Sequence, residues 1–432
     1  MANCEKSDPG AGTPRVKSPQ RDQIAFRACC WNDLLPEGHE ARIVWDYVER
    51  LDLSPLYERI KAVERSAGRA AIDVRILFAL WLYATLRGVG SARELSRRCD
   101  PRTGELAFQW ICGGVSVNYH TLADFRTEHV ELLNTTLTNS VAVLMGEGLV
   151  TLDRVAQDGM KVRASAGAAS FRRRPTLEEH LAEAKKQVET LQQELEADPA
   201  AGNRRQQAAR ERAARERAER LAKALEQLEE VEGKKKPSEK EQARVSSTDA
   251  EARVMKMADG GYRPAYNAQL ATDTASQIIT GVDVTNSGGD QGKLAPMVEQ
   301  HQERYGQPPA EMLVDGGFAK KDDITQVSPA TTVYAPVQKA KKGDRDPHVP
   351  RDNDSPAVAE WRTRMATDEA KEIYQERAAT AECVNAIARN RGLYQVRVRG
   401  RHKALAVVLW HVLAHNLMRA VALRAPQATE ME

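Results

Sequence analysis

The chain has 432 residues, of which 41% are apolar and 29% charged, with a formal net charge of +2. That length exceeds one ordinary domain and predicts two or three pieces around a sizeable core. The balance is that of a soluble globular protein, and the small net charge turns attention to where basic residues cluster, because DNA responds to local fields. Six scattered cysteines, Cys4, Cys29, Cys30, Cys99, Cys112 and Cys383, exclude a disulfide framework in a chain of this size and fit a reducing cytoplasm.

Residues 1–20 are rich in Pro, Gly, Ser and Lys and lack an apolar h-region, so they read as a disordered tail and not a signal peptide. Over 21–150 apolar residues recur at helical spacing, as in Leu122, Phe125, Leu132, Leu133, Leu137, Val141 and Leu144, which predicts an all-helical N-terminal domain. Its most hydrophobic run, Ile76 to Leu86, is far short of the roughly 20 residues of a bilayer span, and no membrane is expected. Ser91 to Arg98 forms a short helix with a basic face after Gly88 and Gly90. That face is either the DNA contact of a helix-turn-helix or a solvated surface. Thr121-Leu122-Ala123-Asp124 has capping-box spacing and opens the last helix, which Gly146 and Gly148 close.

A short strand follows, Leu152 to Gln157, expected to end at Asp158-Gly159, and after it come the basic residues Lys161 to Arg163 and Arg172, Arg173 and Arg174. From 175 to 245 the composition changes to Ala, Glu, Lys, Arg, Gln and Leu, broken at Asp198-Pro199. Two long antiparallel helices are the natural reading, each projecting roughly 30–45 Å at 1.5 Å per residue. This is an insertion within a second domain spanning 151–425. Strands resume as a hairpin, Tyr266–Thr272 and Ile278–Val284 about a turn at Asp273-Thr274. Then come a helix at about 292–305, a strand over Glu311–Val314 that stops at Asp315-Gly316-Gly317, a strand over Thr332–Ala335, a polar loop at 338–355 and two helices, about 357–391 and 403–423.

Without the insertion this is the element order of an RNase H-like α/β fold, a mixed sheet flanked by helices. Three carboxylates sit at telling places: Asp158 at the end of the first strand, Asp315 at the end of the fourth, and Glu382 on the helix after the fifth. Phosphodiester cleavage places charge on both the attacking and the leaving oxygen, and two cations about 3.5–4 Å apart stabilise both. Hard Mg²⁺, or Mn²⁺, is held by carboxylate oxygens and water. Asp-Gly is also a common turn pair, but two such steps after apolar runs, at strands one and four, point to a site.

Other signals carry less. His411 and His415, spaced i, i+4 among apolar neighbours and without a following Glu, read as core residues, as do Cys99 and Cys112, which lack zinc-knuckle partners. Trp361 is expected to be buried. No phosphate-cradling Gly-rich loop is present, and ATP is not expected.

Tyr374-x-x-Arg377, followed by Glu382 and, six residues on, Arg389, resembles the Tyr-Arg-Glu-Lys signature of DDE-type bacterial insertion-sequence transposases, with Arg in place of the final Lys. Asn118 to Arg126, Thr248 to Arg253 and Tyr266 to Gln269 are similar to the same family. The resemblance implies that Asp158, Asp315 and Glu382 form the catalytic and metal-binding triad with Mg²⁺ as cofactor. It also implies that the helical domain binds DNA and that a homodimer synapses two transposon ends. Tyr374, Arg377, Arg389 and Arg172 to Arg174 would contact double-stranded DNA, both the terminal inverted repeats and the target, with Lys339 to Lys342 as further backbone contacts, in the bacterial cytoplasm and its nucleoid. The expected activity is cleavage of transposon ends and strand transfer into target DNA. The alternatives are a stand-alone Mg²⁺-dependent nuclease of this fold and a catalytically decayed DNA-binding protein.

Overall fold

The structure, a computed structural model, describes residues 30–60, 70–197, 204–338 and 345–429. The expected tail at 1–20 and the basic cluster at Lys339 to Lys342 lie outside the described residues. Among those described, the N-terminal part is helical: α1 (Glu40–Glu49), α2 (Ser54–Tyr57), α3 (Val74–Leu86), α4 (Ala92–Arg98), α5 (Leu106–Cys112), α6 (Tyr119–Phe125) and α7 (Val130–Gly146). Asp73 caps α3 by accepting from the Arg75 amide, and every residue from Val74 to Thr85 except Arg75 is buried. A helix apolar all round is stable only inside a bundle, which is where α3 lies.

The helix expected to open at Thr121 opens instead at Asn118, whose side chain accepts from the Thr121 amide at 3.0 Å. It then breaks between Phe125 and Val130. Two indoles claim carbonyls at that break: Trp81 Nε1 donates to Leu122 at 2.8 Å and Trp410 Nε1 to Arg126 at 3.0 Å. The Arg126 guanidinium turns inward over the Trp81 ring, 4.5 Å from its centroid. A periodicity argument sees the apolar positions on both sides of such a break and joins them.

The strands are β1 (Arg154–Arg163), β2 (Phe171–Arg172), β3 (Val245–Ser246), β4 (Arg253–Lys256), β5 (Tyr262–Asp273), β6 (Ile279–Thr285), β7 (Glu311–Leu313) and β8 (Thr332–Tyr334). The main sheet runs β4-β5-β1-β7-β8, with β6 sharing the outer edge of β5. β1 is antiparallel to β5 and parallel to β7, and β7 is parallel to β8. This is the expected mixed α/β architecture. Between β1 and the rest of the sheet come α8 (Arg174–Ala197) and α9 (Arg204–Gly233). They pack through a thin seam of their own that includes Leu177, Ala184, Leu221, Ala224 and Leu228. The short β2–β3 ladder and an Arg174–Glu232 ion pair of 2.7 Å close the base of this hairpin.

The remaining helices are α10 (Leu294–Tyr305), α11 (Lys321–Val327), α12 (Pro356–Ala366), α13 (Asp368–Arg377), α14 (Cys383–Asn390) and α15 (Arg401–Thr429). The single helix expected over 357–391 is thus broken twice. Thr367 caps α13, accepting from the Ala370 amide at 3.2 Å, and a π-helical turn, Ala378–Glu382, separates α13 from α14.

By length and composition alone α15 could cross a membrane, but 78% of its apolar window is buried. It packs against α3, α7 and β6. Its polar residues are spent on that packing: Asn416 bonds both the amide and the carbonyl of Ile279, and His415 bonds the carbonyl of Gln277. Burial pushes the His411 imidazole down to about 3, so it is neutral and structural, as expected. Trp361 is buried too, its Nε1 donating to Ala335 at 3.1 Å. The buried residues of the helical region and of the sheet form one continuous cluster, with Trp410 at the junction, its ring 4.7 Å from that of Phe78. Trp410→Ala should cost about 3–5 kcal/mol of stability. Urea denaturation followed by circular dichroism measures this, and a loss below about 1 kcal/mol would show that the junction is not integral to the core.

Candidate active site

β1 is the centre of the sheet, and its two neighbours end differently. The antiparallel partner β5 follows it to Arg163, whereas the parallel partner β7 stops after the Ala156–Leu313 pair. Beyond that pair the Val314 amide donates to Tyr334 at 3.0 Å, and Gly317 N donates to Asp315 Oδ1 at 2.6 Å. Asp158 and Asp315 are each two residues past the last β1–β7 pair. They lie where β7 ends and parts from the parallel strand β1, a place that can open a ligand crevice in an α/β sheet.

Asp158 does not end its strand, as the Asp-Gly step had suggested. β1 runs on through Lys161 to Arg163, and Gly159 is there for close packing, not for a turn. A Cβ on Gly159 would lie 2.4 Å from Asp290 Oδ1, 2.6 Å from Gln269 Nε2 and 2.8 Å from Asn267 Oδ1. Asp290 accepts from Asn267 at 2.7 Å and from Gln269 at 2.8 Å, so this half-buried carboxylate is fixed directly beneath the β1 backbone.

The α13–α14 segment crosses the same end of the sheet and grips Asp158. Arg377 Nη2 donates to Oδ1 at 2.9 Å and Asn385 Nδ2 to Oδ2 at 2.8 Å. These two residues are eight apart, which in a continuous α-helix would turn them about 80° from each other at 3.6 residues per turn. The π-helical turn absorbs one residue and brings them back to within about 20°, on one face. A second tie fixes the start of β1 to the same helix: Arg154 bridges Glu311 at 2.6 Å and Glu376 at 2.5 Å.

Burial pushes the Asp158 carboxyl above the usual carboxylate range; Arg377 pulls it down, and Asp315 and Asp290 push it up. Tyr374 is half-buried alongside. Burial raises its phenol, with Arg377 opposing and Asp315 and Asp158 adding to the rise. Asp158, Asp315, Tyr374 and Arg377 therefore share one electrostatic environment.

Glu382 is not part of that gathering. It is the last residue of the π-helical turn, and its side chain is exposed and makes no hydrogen bond or ion pair. Among the described residues no three His, Cys, Asp or Glu side chains come together closely enough to hold a metal ion. Arg389 is exposed and without an ion pair, and it lines a cleft of about 590 Å³ that also borders Gly159. Of the three arginines at the hairpin base, Arg174 is held by Glu232 and Glu178, leaving Arg172 and Arg173 without ion pairs.

Asn385 and Asp290 escaped the sequence reading. Asn385 lies one turn after Glu382 on the signature helix, where a polar residue facing a strand was a usable signal. Asp290 follows two glycines in a loop, and only its partners Asn267 and Gln269, polar residues inside an apolar strand, pointed to it. The segment Thr248 to Arg253 serves the frame: Asp249 Oδ1 accepts from Tyr266 at 2.7 Å and from the Gly400 amide at 3.1 Å, which ties β5 to the start of α15.

Two outcomes follow from this packing. Gly159→Ala should cost about 1–3 kcal/mol by overpacking, seen as a lowered thermal midpoint; an unchanged midpoint would mean that Asp290 is free to move away. Asp158 binds its proton more readily folded than unfolded, so its ionisation subtracts stability as pH rises through and above the usual carboxylate range. Asp158→Asn should therefore raise the midpoint at neutral pH in metal-free buffer, with the difference vanishing in acid. A lowered midpoint at neutral pH would show that the Arg377 pair outweighs the cost of burial.

Residues 29–128 match the family described as Transposase domain (DUF772), and residues 338–421 match the family described as Transposase DDE domain. The second span contains Tyr374, Arg377, Glu382 and Arg389 but neither Asp158 nor Asp315. Comparison with curated proteins and with solved structures finds no match. A helical transposase domain leading into a mixed sheet, and a DDE transposase segment whose arginine and asparagine grip the central-strand aspartate, together support a DDE-type insertion-sequence transposase.

Proposed function

We propose that this transposase cleaves the ends of its element and joins the exposed 3′-hydroxyl to target DNA, with Asp158, Asp315 and Glu382 holding Mg²⁺ or Mn²⁺. The observation that carries this reading is the placement of Asp158 and Asp315 at matched positions beyond the β1–β7 ladder, under a helix that bears the family signature.

The donor chemistry suits a hard divalent cation: carboxylate oxygens, with no thiol or imidazole among the three. Asp158 is also held above its usual range partly by its acidic neighbours, a repulsion that a cation relieves. Completing the set requires the Glu382 side chain to turn in from solvent. The ions, once held there, would stabilise charge on the attacking and leaving oxygens.

The chain's own residues position the reaction. Asn385 fixes one oxygen of Asp158, which sets the orientation of the carboxylate. Arg377 pairs with the other, and its Nε is buried without a partner, a donor left over for a phosphate oxygen. Arg389, one helix face along from Glu382, and the exposed Arg173 supply further phosphate contacts. Double-stranded DNA carrying terminal inverted repeats is the substrate, a homodimer brings two ends together, and the protein works at the bacterial nucleoid in the cytoplasm.

Tagged DNA bearing the element's ends, incubated with purified protein and Mg²⁺, should yield both cleaved ends and strand-transfer products. Asp158→Asn, Asp315→Asn and Glu382→Gln should each lower cleavage by roughly a hundredfold or more, the scale of removing one group that stabilises transition-state charge. Asn385→Ala, which frees a ligating carboxylate from its outer partner, should cost about 10- to 100-fold. Processing that survives any one of the three carboxylate changes rules out this triad, and cleavage without joined product reduces the activity to that of a nuclease.

A further inference from the structure

The cleft beside Gly159 has a composition that the triad does not explain. It is lined by Lys161, Arg163, Lys256, Arg389 and the ring of Tyr394. None of these four cations makes an ion pair, and the one carboxylate in the lining, Asp259, is paired with Arg263 at 2.8 Å. Four unpaired positive side chains around one concavity create a field that selects a polyanion.

Tyr394 is 55% exposed, yet its backbone is fixed. Arg163 N donates to the Tyr394 carbonyl at 3.0 Å and Val396 N to the Arg163 carbonyl at 2.8 Å. Gln395 thus forms a parallel bridge with Arg163 at the end of β1. A large apolar ring held out to solvent by a rigid backbone, among unpaired cations, is the arrangement that stacks a nucleobase while its phosphates are neutralised.

We propose that this cleft receives an unpaired DNA strand at the cut end, with Tyr394 stacking one base and Lys161, Arg163, Lys256 and Arg389 following the backbone away from Asp158. A volume of about 590 Å³ is that of a site for a drug-sized ligand and has room for a nucleotide or two. β1 supplies the connection: Asp158 grips the helix, the next residue borders the cleft, and Arg163 ends it. The inference rests on the transposase reading for the identity of the strand, but binding in the cleft requires no metal.

The test is fluorescence anisotropy of the full chain with a labelled oligothymidine of about ten nucleotides, within the site sizes of single-strand binders, in EDTA. Tyr394→Ala should weaken binding by about tenfold, the loss expected for one stacked base, while Tyr394→Phe stays close to the parent. Arg163→Gln and Lys256→Gln, both exposed and free of ion pairs, should each reduce the slope of log affinity against log salt by about 0.7. Thermal midpoints equal to the parent's establish that these variants are folded. Unchanged affinity in Tyr394→Ala, or unchanged slopes in both charge variants, overturns the proposal. So does loss of slope with stacking untouched, the pattern of a duplex lying across the rim. Asp158→Asn must still bind the oligonucleotide, so a failure of the triad and a failure of this cleft give different results.

Discussion

A carboxylate brought out of water beside two others needs compensation, and the catalytic half of this transposase is arranged around that need. Two such charges 4 Å apart repel by about 4 kcal/mol at an effective dielectric of 20. Asp158 meets the problem with one cation and one amide, Arg377 and Asn385, delivered by a single helical segment. That delivery depends on the π-helical turn, because without the extra residue the two donors would point in different directions. The pair Arg154–Glu376 then holds the same segment against the other end of β1. The strand and the helix are pinned at two points, and between them lies the crevice opened where β7 stops.

The helical N-terminal region is part of this frame. Its helix α3 and the last helix α15 share the core with the sheet, and Trp410 bonds the carbonyl of Arg126 across the junction. α15 in turn holds β6 through Asn416 and is itself anchored at its start by Asp249, the partner of Tyr266 in β5. The helical region is thereby joined to β5 and β6 through packed side chains and hydrogen bonds. The charged hairpin α8–α9 has its own thin seam and is tied to the sheet at its base, where Arg253 of β4 donates to Gln227 at 2.7 Å and Lys223 pairs with Glu251 at 3.2 Å.

What could be read from residues alone followed the range of each interaction. Element type along the sheet was legible, since alternation and turn pairs are local: the hairpin of β5 and β6, α10, and the short β7 and β8 all fall where their patterns put them. Boundaries set by distant partners were not. β1 continues past Asp158 because β5 pairs with it as far as Arg163, and its Gly159 is set by close packing with Asp290, 131 positions away. The helix at Thr121 begins early because Asn118 is the better cap, and it breaks after Phe125, where two tryptophans from elsewhere bond the Leu122 and Arg126 carbonyls. In the site, Asp158, Asp315 and the signature helix were legible from their positions in the element order. Asn385 was not, because its role depends on a π-helical turn that no periodicity announces.

The two grips on Asp158 differ in what they can become. Asn385 is buried and neutral, and it loses nothing when the carboxylate also meets a cation, because an amide donor and a metal occupy different lone pairs. Arg377 is a competing cation on the same group, and beside a divalent ion its attraction to Asp158 is opposed by like charge. If a divalent ion were held by Asp158, Arg377 would be better served by a second anion. On the proposed reading a scissile phosphate in the crevice would be such an anion, and Arg377 Nε, buried without a partner, would be a donor to spare. On that same reading, the Arg377–Asp158 ion pair would be the partnership that this guanidinium keeps until a DNA phosphate replaces it. In that case cation and substrate would favour each other's binding through one arginine.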